Sequence, residues 1–190
     1  MTLLSEGSAV DLAPAMLGWT FRTNIDGDVT SVRLTEVEAY MGADDPASHA
    51  YRGVTPRTRP MFEAGGVVYV YLSYGVHFCV NIVTGPAGVA QAVLLRGGIP
   101  IEGIEIMEHR RGRSTDLTNG PGKLGQALGL TTQHSGLPID GALISLERGD
   151  PPSSITTTPR IGITKAPDRP WRFVADPPEI SDSRSQIPAQ

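Results

Sequence analysis

The stretch Gly65-Gly66-Val67-Val68-Tyr69-Val70-Tyr71-Leu72-Ser73-Tyr74-Gly75-Val76-His77-Phe78-Cys79-Val80-Asn81 reads as two strands joined by a tight turn. Residues 67–72 and 76–83 are rich in β-branched and aromatic side chains, which favour strands. Gly75 supplies the backbone freedom that a turn over 73–75 needs. A turn centred on Tyr74 sets Tyr71 opposite His77 and Tyr69 opposite Cys79. The two-residue period of a strand then divides the hairpin into two faces. Val68, Val70, Leu72, Val76, Phe78, Val80 and Ile82 make an apolar face, fit for a core. Tyr69, Tyr71, His77, Cys79 and Asn81 make an aromatic and polar one, fit for a flat, hydrogen-bonding ligand. Tyr74 stands at the tip, where Asn or Asp would serve a turn better. Either it folds back onto a neighbouring loop, which the position alone favours, or it enters something else.

Bulk properties bound the rest. A chain of 190 residues is long enough for one domain with a proper core. Hydrophobic content of 39% and charged content of 19% are those of an ordinary globule, and 22 glycines with 16 prolines predict many turns and short elements. No apolar run approaches a membrane span, and the first twenty residues lack the pattern of a signal peptide, so the cytoplasm is the expected compartment. The single cysteine, Cys79, excludes an internal disulfide and any CxxC metal site. A net charge of −4 argues mildly against a nucleic-acid partner. Distribution matters more than the sum, however. Basic residues gather at Arg52-Arg57-Arg59, at Arg110-Arg111-Arg113 and at Lys165-Arg169-Arg172, which allows a basic face on an acidic protein.

Outward from the hairpin, the N-terminal side reads as a helix over 11–17 capped by Asp11, then strands over 19–24 and 29–40 joined by Asp26-Gly27-Asp28. On the second of these strands, alternation places Val32 and Leu34 on one face with Glu36, Glu38 and Tyr40. Carboxylates that end an apolar face call for a reason. Asp45 and Pro46 open a single helical turn carrying His49, and a second turn is expected over 60–64. On the C-terminal side a strand over 91–96 ends in Arg96, a helix covers 101–111, and Gly120-Pro121-Gly122-Lys123-Leu124 opens another helix. A glycine-rich helix start beside a lysine suits phosphate but lacks the spacing of a nucleotide loop. Strands follow over 140–147 and 171–174, with Arg160-Ile161-Gly162-Ile163 as a short strand or tight loop. A domain over 1–175 and a loose tail over 176–190 are expected. Strands outnumber helices and are joined mostly by turns, so the class is mixed α+β with a largely antiparallel sheet.

Glu38, Tyr40, His49, Tyr71, Asn81 and Arg96 all fall at or near strand ends or turns, the usual places for a site. A carboxylate, an arginine and aromatic walls fit a pocket in which a base activates water beside a stacked ring. A hard divalent ion on Glu38, Asp44 and His49 is the competing chemistry, weakly signalled because no HExxH or paired histidines occur. No GxSxG nucleophile elbow is present.

Thr35-Glu36-Val37-Glu38-Ala39-Tyr40-Met41-Gly42, Asp44-Asp45-Pro46-Ala47-Ser48-His49, Thr55-Pro56-Arg57-Thr58-Arg59 and Met61-Phe62 resemble the alkyladenine (3-methyladenine) DNA glycosylases. The hairpin Tyr69 to Gly75 with Phe78-Cys79-Val80-Asn81-Ile82 is the most specific match. Val93-Leu94-Leu95-Arg96, Gly120-Pro121-Gly122-Lys123-Leu124 and Arg160-Ile161-Gly162-Ile163 follow in the right order, so the likeness spans roughly residues 10–175. The resemblance departs at three points. The 49–55 loop is one residue shorter, with Val54 where some members carry a basic residue; His77 stands where an aromatic hydroxyl is common; and the net charge is acidic.

That resemblance implies a single mixed α/β domain around a curved antiparallel sheet with a protruding hairpin. It implies Glu38 as general base, with Arg96 and the Ile161 main chain holding the attacking water. Tyr40, His49 and Tyr71 become the walls around a flipped purine, Asn81 the residue that crowds the 2-amino group of normal guanine, and Tyr74 the wedge that fills the gap left in the duplex. Arg57, Arg59 and Lys123 become phosphate contacts. The substrate implied is double-stranded DNA carrying 3-methyladenine, 7-methylguanine, hypoxanthine or ethenoadenine. No metal or cofactor is expected, and a monomer is. With no candidate lysine nucleophile near Glu38, the product is an abasic site. A module that binds damaged or single-stranded nucleic acid without cutting it stays open as the alternative.

Overall fold

The computed structural model describes residues 2–176. The chain runs α1 (Thr2–Glu6), α2 (Ala9–Ala15), β1 (Thr20–Ile25), β2 (Asp28–Tyr40), β3 (Val68–Ser73), β4 (His77–Thr84), β5 (Gln91–Glu102), α3 (Ile104–Arg111), α4 (Pro121–Ala127), β6 (Ile144–Glu147), β7 (Ile155–Thr158) and β8 (Arg172–Ala175). The strands form one sheet in the order β3-β4-β5-β2-β1-β6, with β8 beside the end of β2 and β7 outside it. Every strand pair is antiparallel. The mixed, mainly antiparallel single domain expected from the strand-rich sequence is what folds. The expected tail lies, from residue 177 onward, outside the described residues.

The hairpin forms, with its register moved. Tyr71 faces Cys79, Tyr69 faces Asn81 and Ser73 faces His77, so the turn is centred one residue later than expected. The turn chemistry explains this. Val76 N–H donates to the Ser73 carbonyl at 3.1 Å, and Tyr74 and Gly75 have φ of 50° and 73°. Two successive left-handed residues give the backbone twist that matches a hairpin. The move changes each partner by two positions, so both faces keep their membership. At the tip the apolar face runs out of core: Tyr74 is 89% and Val76 68% exposed.

Strand β2 departs from simple alternation. Leu34 pairs with Gly98 but Glu36 pairs with Gly97, and Val37 then pairs with Leu95. This irregularity moves the core side of β2 from even to odd positions. Val32 and Leu34 point into the core, and so do Val37 and Ala39. Glu36, Glu38 and Tyr40 therefore do not share a face with Val32 and Leu34. They point to the opposite side of the sheet, as bulges next to sites commonly arrange. Glycine fits here because a Cβ on Gly98 would come within 2.9 Å of the Arg33 carbonyl oxygen.

The main core is built on one side of this sheet. Ala39, Val93, Ile82 and Val68 make a row across β2, β5, β4 and β3, packed with Leu12, Met107 and Leu124 from the helices. Burial of each Val, Ile, Leu or Met among these contributes about 1.5–3 kcal/mol. Helix α4 lies directly on β4, since a Cβ on Gly125 would fall 2.1 Å from the Phe78 carbonyl oxygen. A smaller cluster of Ala50, Met61, Tyr69, Val83, Ala90 and Ala92 seats the 41–62 segment near the hairpin.

Other boundaries differ in detail. Ser8, not Asp11, caps α2, its Oγ accepting from Asp11 N–H at 3.2 Å. Strand β5 runs on past Arg96 to Glu102, and α3 starts only after Gly103, whose φ of 73° breaks the strand. The strand expected over 140–147 shrinks to β6, and β7 was not expected, although Ile155-Thr156-Thr157-Thr158 is a β-branched run.

Candidate active site

On the side of the sheet away from the main core, one row of residues crosses four strands. Glu38 pairs with Leu94, Leu94 with Asn81, and Asn81 with Tyr69. Above the row lies a cavity of about 560 Å³, the size range of small-molecule sites. Tyr40, His49, Tyr71, Asn81, Arg96 and Ile161 all line it, as do Tyr69, Leu94 and Arg57. Residues spread over 123 positions, from Glu38 to Ile161, thus meet at one place.

Glu38 lies one layer behind the wall. Its side chain is fully buried, and it shows no surface to the cavity; three residues that do show surface hold its carboxylate. Ile161 N–H donates to Oε1 at 2.8 Å, the Tyr40 hydroxyl donates to Oε2 at 2.9 Å, and Arg96 sits 3.3 Å from Oε1. A buried carboxylate needs such partners. Burial, then the Glu38 charge, pushes the Tyr40 hydroxyl well above the ordinary tyrosine range, so it remains a donor.

Arg96 is aimed by a second carboxylate. Its Nε donates to Glu36 Oε1 at 2.7 Å, and Arg172 Nε donates to the same oxygen at 2.7 Å. Burial pushes the Glu36 carboxyl upward, but the bonds from Arg172 and Arg96 outweigh it and leave it below the usual range. Burial likewise works against the charge of Arg96, and Glu38 and Glu36 more than restore it.

The aromatic wall is a packed set of rings. Tyr69 and Tyr71 stack with centroids 5.7 Å apart, and His49 meets Tyr71 edge-on at 4.5 Å. His49 Nδ1 shares a hydrogen bond with the Tyr69 hydroxyl at 3.1 Å. Burial, followed by the nearby Arg57 charge, pulls His49 down to about 4, so the imidazole is neutral near pH 7 even though the residue keeps an open side to solvent. Burial, then the neighbouring Cys79, pushes the Tyr71 hydroxyl up. Burial also raises the Cys79 thiol, which stays protonated. Asn81 is fixed by its own strand pair, its Nδ2 donating to the Tyr69 carbonyl at 3.0 Å.

The remaining expected residues divide. Tyr74 stands at the cavity rim. Arg57 leans over the Tyr71 ring at 5.3 Å. Arg59 and Lys123 do not line the cavity: Arg59 opens a short 3₁₀ turn, and Lys123 Nζ donates to Asn119 Oδ1 at 2.9 Å. Asp44, His49 and Glu38 form no ion-binding group, and among the described residues no three His, Cys, Asp or Glu side chains gather as a metal site would need. Among them, too, no helix is long and apolar enough to cross a membrane.

Tyr69 lines the cavity on the hairpin face that alternation gives it. The long-range partnerships that aim the site could not be read from the sequence. Glu36 and Arg172 are 136 positions apart, and Asp45 and Arg160 are 115 apart; no local pattern links either pair. The helical turn expected from Asp45 to His49 does not form: a 3₁₀ turn covers Gly42–Asp44 instead and ends at Asp45, whose Oδ1 accepts from Ala47 N–H at 3.2 Å. Its carboxylate is mainly engaged by Arg160, and although burial pushes it up, that bond leaves it below the usual range.

The profile of the methylpurine-DNA glycosylases matches residues 3–178. The chain belongs to the methylpurine-DNA glycosylase family. A protein of Cutibacterium acnes assigned as a 3-methyladenine DNA glycosylase is 46% identical over 188 residues, covering 93% of this chain and 96% of that one. A Chlorobium phaeobacteroides protein with the same assignment is 47% identical over 171 residues, covering 87% of this chain and 86% of that one. The Arabidopsis thaliana DNA-3-methyladenine glycosylase is 46% identical over 189 residues, covering 94% of this chain and 72% of that one. As a methylpurine-DNA glycosylase, the protein is a DNA repair enzyme, a hydrolase of N-glycosyl bonds in DNA with damaged bases.

Proposed function

We propose that this glycosylase rotates alkylated or deaminated purines out of duplex DNA and hydrolyses the bond between base and sugar with a water activated by Glu38. The observation that carries the reading is the fully buried Glu38 carboxylate, ringed by Tyr40, Arg96 and Ile161 at the wall of an aromatic cavity. A glycosidic carbon is shielded inside the base stack, so the nucleotide must leave the duplex, at a few kcal/mol. Tyr40, His49 and Tyr71 receive the base. Each aromatic contact contributes about 1–3 kcal/mol, and π-faces favour the cationic purines that alkylation produces. A neutral His49 suits them too, since an imidazolium would repel such a base.

Bond cleavage leaves positive charge on the sugar. Glu38 stabilises that charge and takes a proton from water as the water oxygen joins C1′. The base departs with the electrons of the broken bond, and an abasic site remains. Arg96 and the Ile161 main chain, both at the cavity wall and both on Glu38 Oε1, hold the water. Asn81, held by the Tyr69 carbonyl, crowds the 2-amino group of normal guanine and so disfavours it, whereas the cationic ring of 7-methylguanine gains from the π-faces. Tyr74 fills the place left in the stack, and Arg57, Arg59 and Lys123 meet the phosphates. The enzyme acts as a monomer on double-stranded DNA carrying 3-methyladenine, 7-methylguanine, hypoxanthine or ethenoadenine.

Release of free base from duplexes carrying single lesions tests this directly. The wild-type protein releases base in excess chelator, and Glu38→Gln loses at least about 10²-fold in rate, the scale of general-base catalysis, while still binding the duplex. Wild-type turnover in Glu38→Gln overturns the mechanism. Tight lesion binding with no base released by the wild type makes the protein a binding module instead.

A further inference from the structure

Arg160 and Asp45 form an ion pair sealed entirely from solvent. Arg160 Nη1 and Nη2 donate to Asp45 Oδ2 and Oδ1 at 2.5 Å and 2.8 Å, a two-pronged bond. The same Nη1 donates to the Ala39 carbonyl at 3.0 Å. The guanidinium lies over the Tyr40 ring at 4.6 Å and the Trp171 ring at 5.1 Å. Asp45 also accepts from Met41 and Ala47 N–H.

Most of these contacts end beside a group that holds or faces the site. Ile161, next in the chain to Arg160, gives its N–H to Glu38 Oε1. Ala39 lies between Glu38 and Tyr40 on β2. Asp45 belongs to the segment that carries His49 to the cavity. Arg160 itself does not line the cavity, so it acts through its neighbours. A buried ion pair is a poor source of net stability, because desolvation offsets the attraction. A rigid guanidinium fork is a good source of geometry, since it fixes distance and plane together.

We propose that Asp45–Arg160 is a positioning pair for the chemical step, holding the Ile161 N–H and the Tyr40 hydroxyl on Glu38. The inference rests on the role given above to Glu38. It assigns the pair to the rate of base release and not to recognition of DNA.

Two variants separate these roles. Arg160→Lys keeps the charge and loses the fork. The double change Asp45→Asn with Arg160→Gln removes both charges and leaves none buried alone. Each is measured in single-turnover release of hypoxanthine from a duplex, in affinity for a duplex carrying an uncleavable abasic-site analogue, and in thermal unfolding. Release slows about 100-fold, as small misplacements at a reacting centre do, while affinity for the analogue duplex is unchanged. Wild-type release rates in the folded variants overturn the proposal. So does a parallel fall of release, affinity and Tm, which would make the pair a structural support only. If Arg160→Lys does not fold, the neutral pair decides. A wild-type protein that releases no base overturns the parent reading as well, whereas normal wild-type release with unimpaired variants overturns this inference alone.

Discussion

The Tyr40 hydroxyl donates to Glu38 Oε2 at 2.9 Å, so the ring at the cavity wall and the carboxylate behind it are a single bonded unit. Oε1 is taken by Ile161 N–H, and Tyr40 is the partner of Oε2. Tyr40→Phe keeps the ring and removes that donor. A hydrogen bond to a charged group contributes about 1.5–3 kcal/mol, so single-turnover base release should slow by about 10–100-fold, with duplex affinity retained. An unchanged rate would separate Tyr40 from the chemistry and leave it a stacking surface.

His49 sets a pH dependence whose sign follows from its neighbours. Its pKa is lowered from 6.5 to about 4, by burial first and the Arg57 charge second. Below pH 6.5 the unfolded chain gains a proton that the folded chain refuses until about 4. The His49 contribution to stability is therefore complete above that window and is lost as pH falls through it. Arg57→Gln removes one of the two causes, so the imidazole midpoint, followed by proton NMR, should move upward. A midpoint that stays in place would mean that Arg57 does not act on the ring.

Tyr74 occupies a conformation that suits it badly, with φ of 50° and 89% of its surface exposed. The left-handed region costs an ordinary L-residue about 1–2 kcal/mol, and Asn tolerates it better. Tyr74→Asn should leave Tm unchanged or slightly raised. It should weaken lesion-duplex binding about tenfold, the loss of one stacked ring. A fall in Tm with unaltered binding would assign the residue to packing.

Gly125 lies in the interior of α4, where alanine would ordinarily stabilise a helix by about 1 kcal/mol. Here its Cβ would fall 2.1 Å from the Phe78 carbonyl oxygen. Gly125→Ala should instead destabilise by about 1–3 kcal/mol, as overpacking does, and lower Tm by several degrees. A raised Tm would show that α4 can slide off β4 freely.

The odd-position face of the hairpin could be read from sequence because alternation is local. The slip from Tyr71 opposite His77 to Tyr71 opposite Cys79 left that face intact, since it moved partners by two. Strand β2 could not be read in this way. Its residues gave Glu38 the face of Val32 and Leu34, and the irregularity around Thr35 and Glu36 gave it the other. Such a shift depends on which glycine of β5 lies opposite, not on β2 itself.

Sequence alone determined the strand-rich class, the two faces of the hairpin, and the kinds of side chain available for a site. Those properties rest on backbone geometry that repeats every two residues. Only the tertiary structure decided that Glu38 sits behind the cavity wall, that Glu36 is shared by Arg96 and Arg172, and that Arg160 clamps Asp45. Each of these is a contact between distant parts of the chain, and its energy exists only once the sheet has brought them together.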